Sequence, residues 1–358
     1  MAPNAVITGW GMYAPSRVMT NEELSTMVDT SDEWIVSRTG IRERRIAADD
    51  ENTTSLSVHA ARDALAVAGV DASAVDLVIV ATCSPDYPLP ATSVTVASAL
   101  GATRAAAFDL QAACSGFLYA LAAANAFIRS GMYRNVLVIG VEILSRFLNW
   151  SDRSTCVLFG DGAGAVLVSA SDQPGGLMGW DLFSDGTGCE GIIVRAGGSD
   201  RPASAETVAG GLHYIQMAGS EVYKYATRQM SDSAVAALRA AGLGVEEVDQ
   251  FVFHQANLRI IKSVEKQFAI PEEKVFVNIE KYGNTSAASV PMALVEAIAA
   301  GRIKPGDKVL MVAFGAGYTA GAAVMEWTAD PARAFLAPGE QTRLGMPRVA
   351  EPELAVAG

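Results

Sequence analysis

The chain has 358 residues, half of them hydrophobic and 18% charged, with a formal net charge of −12. This composition supports a sizeable buried core and excludes intrinsic disorder. The acidic balance argues against a general nucleic-acid binder, which carries a basic stripe. The opening stretch MAPNAVITGWGMYAPSRV lacks the charged start and apolar core of a signal peptide. No run of about 18 uninterrupted apolar residues marks a membrane span. The four cysteines (Cys83, Cys114, Cys156 and Cys189) are far apart, without a CxxC pair. Disulfides and a metal site are therefore not expected, and a reducing cytoplasm is.

In chain order, the first functional signal is TSDEWIVSR. Thr30 with Glu33 three residues later reads as a capping box. Trp34 and Arg38, four apart, share a helical face, where an indole and a guanidinium can hold a flat purine. The plainer reading is a surface Trp packed by an Arg stem. Next, FDLQAACSGFLYALAAANAFI runs from an apolar strand through small residues into an apolar helix, with Cys114 at the junction. A helix N-terminus lowers a thiol pKa, so Cys114 suits a nucleophile. Ala113, Ser115 and Gly116 leave room for an acyl group. The other three cysteines read as small buried hydrophobes.

Residues 175–209 are rich in Gly, Ser, Asp and Pro and read as loops or hairpins. FVFHQANLRI places His254 at the end of a buried strand, where α/β sites gather. His59 and His213 read as structural. In NLRIIKSVEKQF, Arg259, Lys262 and Lys266 form one basic helix face. EKYGNTSAAS places Asn284 at a strand-to-helix turn. GAGYTA fits a dinucleotide pattern, but a strand follows it rather than a helix, so that reading is rejected. The stretch 331–358 reads as an appended, mobile tail.

The chain also repeats. ALAVAGVDASAVDLVIVATCS aligns with ALRAAGLGVEEVDQFVFHQAN, placing Asp76 and Asp249 173 residues apart. Cys114 precedes Gly131 by the same 17 positions that separate Asn284 from Gly301. Continuous apolar strands alternating with helices imply sheets buried on both faces. The expected fold is α/β and layered, with duplicated halves at 1–174 and 210–330 joined by the loop-rich 175–209. Cys114 and Asn284 would open equivalent helices, and the symmetry would bring Cys114, His254 and Asn284 to one central site.

These motifs resemble β-ketoacyl-[acyl carrier protein] synthase III, of the thiolase superfamily. AACSGF, HQAN and YGNTSAAS match the family's three catalytic motifs, and TSDEWIVSRTGIRERR and FGDGAGA match further. The resemblance runs from about Ala5 to Trp327. It implies a thiolase-like α-β-α-β-α fold and a two-stage Claisen condensation initiating fatty acid biosynthesis. Cys114 would take an acyl group from acyl-coenzyme A. His254 and Asn284 would stabilise the enolate left when malonyl-[acyl carrier protein] loses carbon dioxide. Asn rather than Asp fits this chemistry, since a carboxylate repels an enolate. The resemblance also implies an oxyanion hole from the backbone N–H of Cys114 and Ala316, where the family often has Gly. It assigns Thr30, Trp34, Arg38, Arg153 and Asn257 to coenzyme A, and Arg259, Lys262 and Lys266 to the acidic carrier protein. No cofactor is bound permanently; acyl-coenzyme A is a substrate. A homodimer is implied, with Leu89 lining the partner's acyl pocket. Two other readings are an acyltransferase or starter-unit condensing enzyme of polyketide and secondary metabolism, and a non-catalytic thiolase-like subunit, which would need none of the three motifs.

Overall fold

The computed structural model describes residues 2–330; the tail expected at 331–358 lies outside them. The first seven strands are β1 (Asn4–Tyr13), β2 (Arg17–Thr20), β3 (Glu43–Ile46), β4 (Leu77–Ala81), β5 (Ala106–Leu110), β6 (Asn135–Glu142) and β7 (Gly162–Ser171). The next seven are β8 (Gly176–Ser184), β9 (Ile192–Val194), β10 (Ile215–Met217), β11 (Gln250–Phe253), β12 (Val275–Phe276), β13 (Lys308–Gly315) and β14 (Thr319–Glu326).

Two five-stranded sheets carry the fold, ordered β1-β7-β6-β4-β5 and β8-β14-β13-β11-β12. Each strand of the first matches the strand seven numbers later in the second. The pairing directions repeat as well: β4 is parallel to β5 and β6, as β11 is to β12 and β13. The outer pairs, β6–β7–β1 and β13–β14–β8, are antiparallel. The duplication read from the sequence is therefore a property of the fold.

The layers follow from the alternation of side chains along each strand. Ile79, Val136 and Val138 face inward, onto the helices Gly116–Arg129 and Ser289–Ala299. Val252, Val309 and Met311 of the second sheet meet the same two helices from the other side. Val78, Val80, Leu137 and Ile139 face outward, under the helix Thr53–Ala68. Phe251, Phe253, Leu310 and Val312 do the same under Gly219–Ala241 and Leu258–Gln267. The result is five layers, α-β-α-β-α, with both sheets buried on both faces. No described helix is long and apolar enough to cross a membrane.

One expectation needs correcting here. Within 175–209, Gly176–Ser184 is not a loop but an edge strand of the second sheet, paired along β14. Gly179 obscured it in the sequence, because the glycine lies in the strand to admit a helix. A Cβ there would stand 2.5 Å from the Ala237 carbonyl oxygen.

Close approach also sets the central layer. A Cβ at Gly140 would lie 2.2 Å from the Ala287 carbonyl oxygen. The β6 glycine therefore lets the turn ahead of Ser289–Ala299 rest directly on the first sheet. Gly140→Ala is expected to lower stability by about 1–3 kcal/mol through overpacking. Urea unfolding checks this, and an unchanged midpoint would refute the packing argument.

Candidate active site

The nucleophile motif begins where β5 ends. Ala113–Ser115 form a short 3-10 turn, and the helix proper starts at Gly116. Ala113 has φ 47, in the left-handed region that non-glycine residues rarely adopt. The second half of the molecule holds this conformation. Thr319 Oγ1 donates to the Ala112 carbonyl at 2.8 Å, and Ser115 Oγ donates to the Thr319 carbonyl at 3.2 Å. Gly315 makes space, since a Cβ there would be 2.6 Å from the Cys114 nitrogen.

The matching turn is Ser286–Ala288, ahead of the helix that starts at Ser289. Ser286, with φ 48, is the counterpart of Ala113. The expectation that Cys114 and Asn284 open equivalent helices is therefore corrected. Asn284 lies two residues before its turn, whereas Cys114 lies within its own. Counting back from the terminal glycines misled because the two helices have 14 and 11 residues.

Asn284 is held as an extended bridge opposite Phe159, its N–H donating to the Leu158 carbonyl at 2.8 Å. Its Oδ1 accepts the Ser286 N–H at 2.8 Å. That contact orients the amide and leaves Nδ2 as the available donor. His254 follows β11, is 2% exposed, and its N–H donates to the Val312 carbonyl at 2.7 Å. Its Nδ1 lies 2.5 Å from Ser289 Oγ, which also accepts the Gln255 N–H at 3.3 Å. We assign the Ser289 hydroxyl proton to Nδ1, so that Nε2 carries the ring proton. Burial pushes the His254 pKa down to about 3, so the ring is neutral.

Cys114, His254, Asn284, Ser286 and Ala316 line one cavity of about 1240 Å³. Ala316 has no positive φ; the left-handed positions fall on Gly317 and Tyr318. Alanine therefore replaces glycine there without backbone strain. The thiol departs from expectation. Burial pushes Cys114 up to about 12; a hydrogen bond from Ser286 opposes this and the charge of Glu142 adds to it. Desolvation outweighs the helix field, and the helix begins two residues further on.

At the mouth, the N-cap of the helix Asp32–Thr39 is Ser31, whose Oγ accepts the Trp34 N–H at 3.1 Å. Thr30 is not the cap and does not line the cavity. Arg38 and Arg153 lie 4.5 and 4.9 Å from the centre of the Trp34 ring. Arg153 is further tied to Asp29, donating to its carbonyl at 2.7 Å. Both guanidiniums thus stand over the Trp34 indole. Asn257 lines the cavity and caps the helix Leu258–Gln267, accepting the Arg259 N–H at 2.9 Å.

The basic face is uneven. Arg259 lines the cavity and lies over Tyr223. Lys262 is paired with Glu272 at 2.9 Å and Glu265 at 3.1 Å, while Lys266 is exposed. Leu89 is 86% exposed and does not line this chain's cavity. Among the other cysteines, Cys156 is buried as expected. Cys189 is exposed and Cys83 partly so, and both line the cavity, which corrects the reading of them as core residues. His59 stacks on Tyr13, and His213 contacts Thr207 Oγ1 at 3.0 Å. No described group of His, Cys, Asp and Glu could hold a metal.

A family profile described as 3-oxoacyl-[acyl-carrier-protein (ACP)] synthase III matches residues 108–186, and its C-terminal counterpart matches 238–327. A β-ketoacyl-[acyl-carrier-protein] synthase III from Roseiflexus castenholzii is 53% identical, over 92% of this chain and 100% of its own. The chain belongs to the β-ketoacyl-[acyl-carrier-protein] synthase III family. Among solved structures, the 3-oxoacyl-[acyl-carrier-protein] synthase III of Aquifex aeolicus superposes with a TM-score of 0.84 at 46% identity, covering 90% of this chain and 100% of that one. The priming β-ketosynthase from the R1128 polyketide pathway superposes at 0.86 with 38% identity, covering 92% and 98%.

Sequence reasoning missed four residues of this site: Glu142, Ser286, Ser289 and Thr319. Glu142 carried a legible signal, as the acidic end of the otherwise apolar strand NVLVIGVE. The three hydroxyls did not, because their partners are distant in the chain: Ser286 and Thr319 reach into the other half, and Ser289 meets His254 across its own half.

Proposed function

We propose that this enzyme condenses an acyl-coenzyme A starter with malonyl-[acyl carrier protein], with loss of carbon dioxide, as the initiating step of fatty acid biosynthesis. The observation that carries the reading is the meeting of three neutral groups in one cavity: a thiol, an imidazole with Nε2–H, and an amide with its NH₂ available. Cys114 attacks the starter thioester and keeps the acyl group as coenzyme A leaves. The malonyl thioester oxygen then receives hydrogen bonds from His254 Nε2 and Asn284 Nδ2 as decarboxylation builds charge on it. The resulting enolate carbon attacks the acyl-Cys carbonyl. Backbone N–H groups of Cys114 and Ala316 stabilise that second oxyanion.

Coenzyme A enters past Trp34, Arg38, Arg153 and Asn257, without a contact from Thr30. Because Arg153 lies on Trp34 in the free enzyme, adenine binding displaces it. The acidic carrier protein docks on the face of Leu258–Gln267, chiefly through Arg259 and Lys266, since local carboxylates already balance Lys262. The active form is a homodimer joined along β5. That edge strand has five residues with partly exposed side chains, whereas its counterpart β12 has only two. The neighbouring Tyr87, Leu89 and Val94 are exposed apolar groups that a second copy would cover.

Three measurements check this reading. His254→Ala and Asn284→Ala should each slow malonyl decarboxylation roughly 10²–10³-fold while sparing acyl transfer to Cys114. Equal losses in both half-reactions would count against the roles given. Arg259→Glu should raise KM for the carrier-protein substrate, less so at high salt, with KM for acyl-coenzyme A unchanged. A salt-independent, unaltered KM would rule out that docking face. Leu89→Phe should shift starter preference to shorter acyl groups and Leu89→Ala to bulkier ones. A fully active monomer in sedimentation, or an unaltered starter profile in both variants, would end the dimer-pocket reading.

A further inference from the structure

Glu142 is a carboxylate with 0% exposure at the end of β6, beside the cavity but outside the three catalytic motifs. Every hydrogen bond described for it brings a donor. Ser84 Oγ donates to Oε2 at 2.6 Å, and Thr82 Oγ1 does so at 3.3 Å. The Cys83 N–H reaches both oxygens, at 3.2 and 3.1 Å. Ser84 Oγ itself accepts the Ile143 N–H at 2.9 Å, so its one proton is committed to the carboxylate. The remaining donor comes from the other half of the molecule: Ser286 Oγ donates to Oε1 at 3.1 Å.

Ser286 touches both sides of the problem. Its turn packs against the turn that carries Cys114, both residues line the same cavity, and its hydroxyl is near enough to the Cys114 sulfur to favour the thiolate. With the thiol protonated, the Ser286 proton goes to Glu142 and its lone pair faces the S–H; once the proton has passed, Ser286 donates to the sulfur instead, the arrangement that favours the thiolate. The groups are thus ordered S–H, O–H, carboxylate. The site needs such an arrangement, because burial keeps Cys114 protonated and its proton must leave as sulfur attacks. His254 is poorly suited to take it, being held at low basicity with Nδ1 bonded to Ser289. Burial pushes the Glu142 carboxyl up to about 7, while its donors pull it back, so it can hold a proton near neutrality.

We propose that Ser286 and Glu142 form the proton path for acylation of Cys114, with Ser286 in contact with the thiol and Glu142 positioning Ser286 and holding the proton. As the Cys114 sulfur bonds to the starter carbonyl carbon, its proton passes to Ser286 Oγ and the Ser286 proton passes to Glu142 Oε1. When the bond between that carbon and the coenzyme A sulfur breaks, the proton returns through Ser286 to the departing sulfur. The balance is acyl-coenzyme A plus thiol giving acyl-Cys plus free coenzyme A, with no further reactant. The same pair fixes the Asn284 amide through the Ser286 N–H, so one residue serves both halves of the reaction.

The inference rests on the condensing-enzyme reading, and its test separates the two. Acyl transfer from acetyl- and branched acyl-coenzyme A to Cys114 is followed by quenched mass spectrometry, and decarboxylation by carbon dioxide release from malonyl-[acyl carrier protein]. Glu142→Gln and Ser286→Ala should each slow acyl transfer about 10²-fold while decarboxylation changes only a few-fold. The double variant should be no slower than the slower single one, because both residues serve one path. Glu142→Asp, which keeps the carboxylate, should recover part of the loss. A purely structural role would instead depress both half-reactions together with the thermal midpoint, and that outcome overturns the proposal, as does normal acyl transfer in Glu142→Gln. If Glu142→Gln does not fold, the half-reaction split in Ser286→Ala decides alone. Failure of the unaltered enzyme to take acyl groups on Cys114 would overturn the condensing-enzyme reading instead.

Discussion

The Cys114 turn depends on the half of the molecule that does not contain it. Ala113 adopts a backbone conformation costing of order 1–3 kcal/mol, and hydrogen bonds with Thr319 hold the chain on either side of it. Ser286 adopts the same conformation in the second half, and Glu142 of the first half holds it. Each half therefore supplies the support for the other's strained turn. The reciprocity is possible because both central helices share one layer, pressed between two sheets with glycines at the contacts. Neither half folded alone would present the site.

Burial then decides the electrostatics. A group this deep keeps a charge only when donors surround it. His254 lacks such a set and is neutral. Cys114 has only Ser286 and a backbone N–H set against burial, and stays protonated. Of these three site groups, Glu142 is the one ringed by donors, from Thr82, Cys83, Ser84 and Ser286. In the proposed reaction a neutral histidine and a neutral amide stabilise developing negative charge without a counter-charge that would be costly to bury in the resting enzyme. Charge is instead concentrated at the mouth, where Arg38, Arg153 and Arg259 stand over aromatic rings.

That mouth is occupied by its own side chains. Arg38 and Arg153 stand over the Trp34 indole, and under the proposed coenzyme A entry a purine would have to displace one of these cation–π contacts. The acidic whole and the locally basic rim suit an acidic partner that approaches from one direction. Lys262 shows why a charge run in sequence overstates such a rim: Glu272, ten residues away in the chain, neutralises it.

The sequence by itself determined the layered α/β class and the duplication, and it singled out Cys114, His254 and Asn284, which the fold brings to one cavity. Those features are written in local patterns: strand-to-helix junctions, apolar runs, and motifs of adjacent residues. It misjudged whatever depends on burial or on register between the halves. The Cys114 pKa went the other way because desolvation is a property of the packed cavity, not of a helix start. Asn284 proved not to be the counterpart of Cys114 because unequal helix lengths shift the register. Gly176–Ser184 emerged as a strand only through its pairing with β14. Ser286, Ser289 and Thr319 look like ordinary small polar residues in the chain. Only tertiary structure made them supports, since each acts on a group 35 or more residues away.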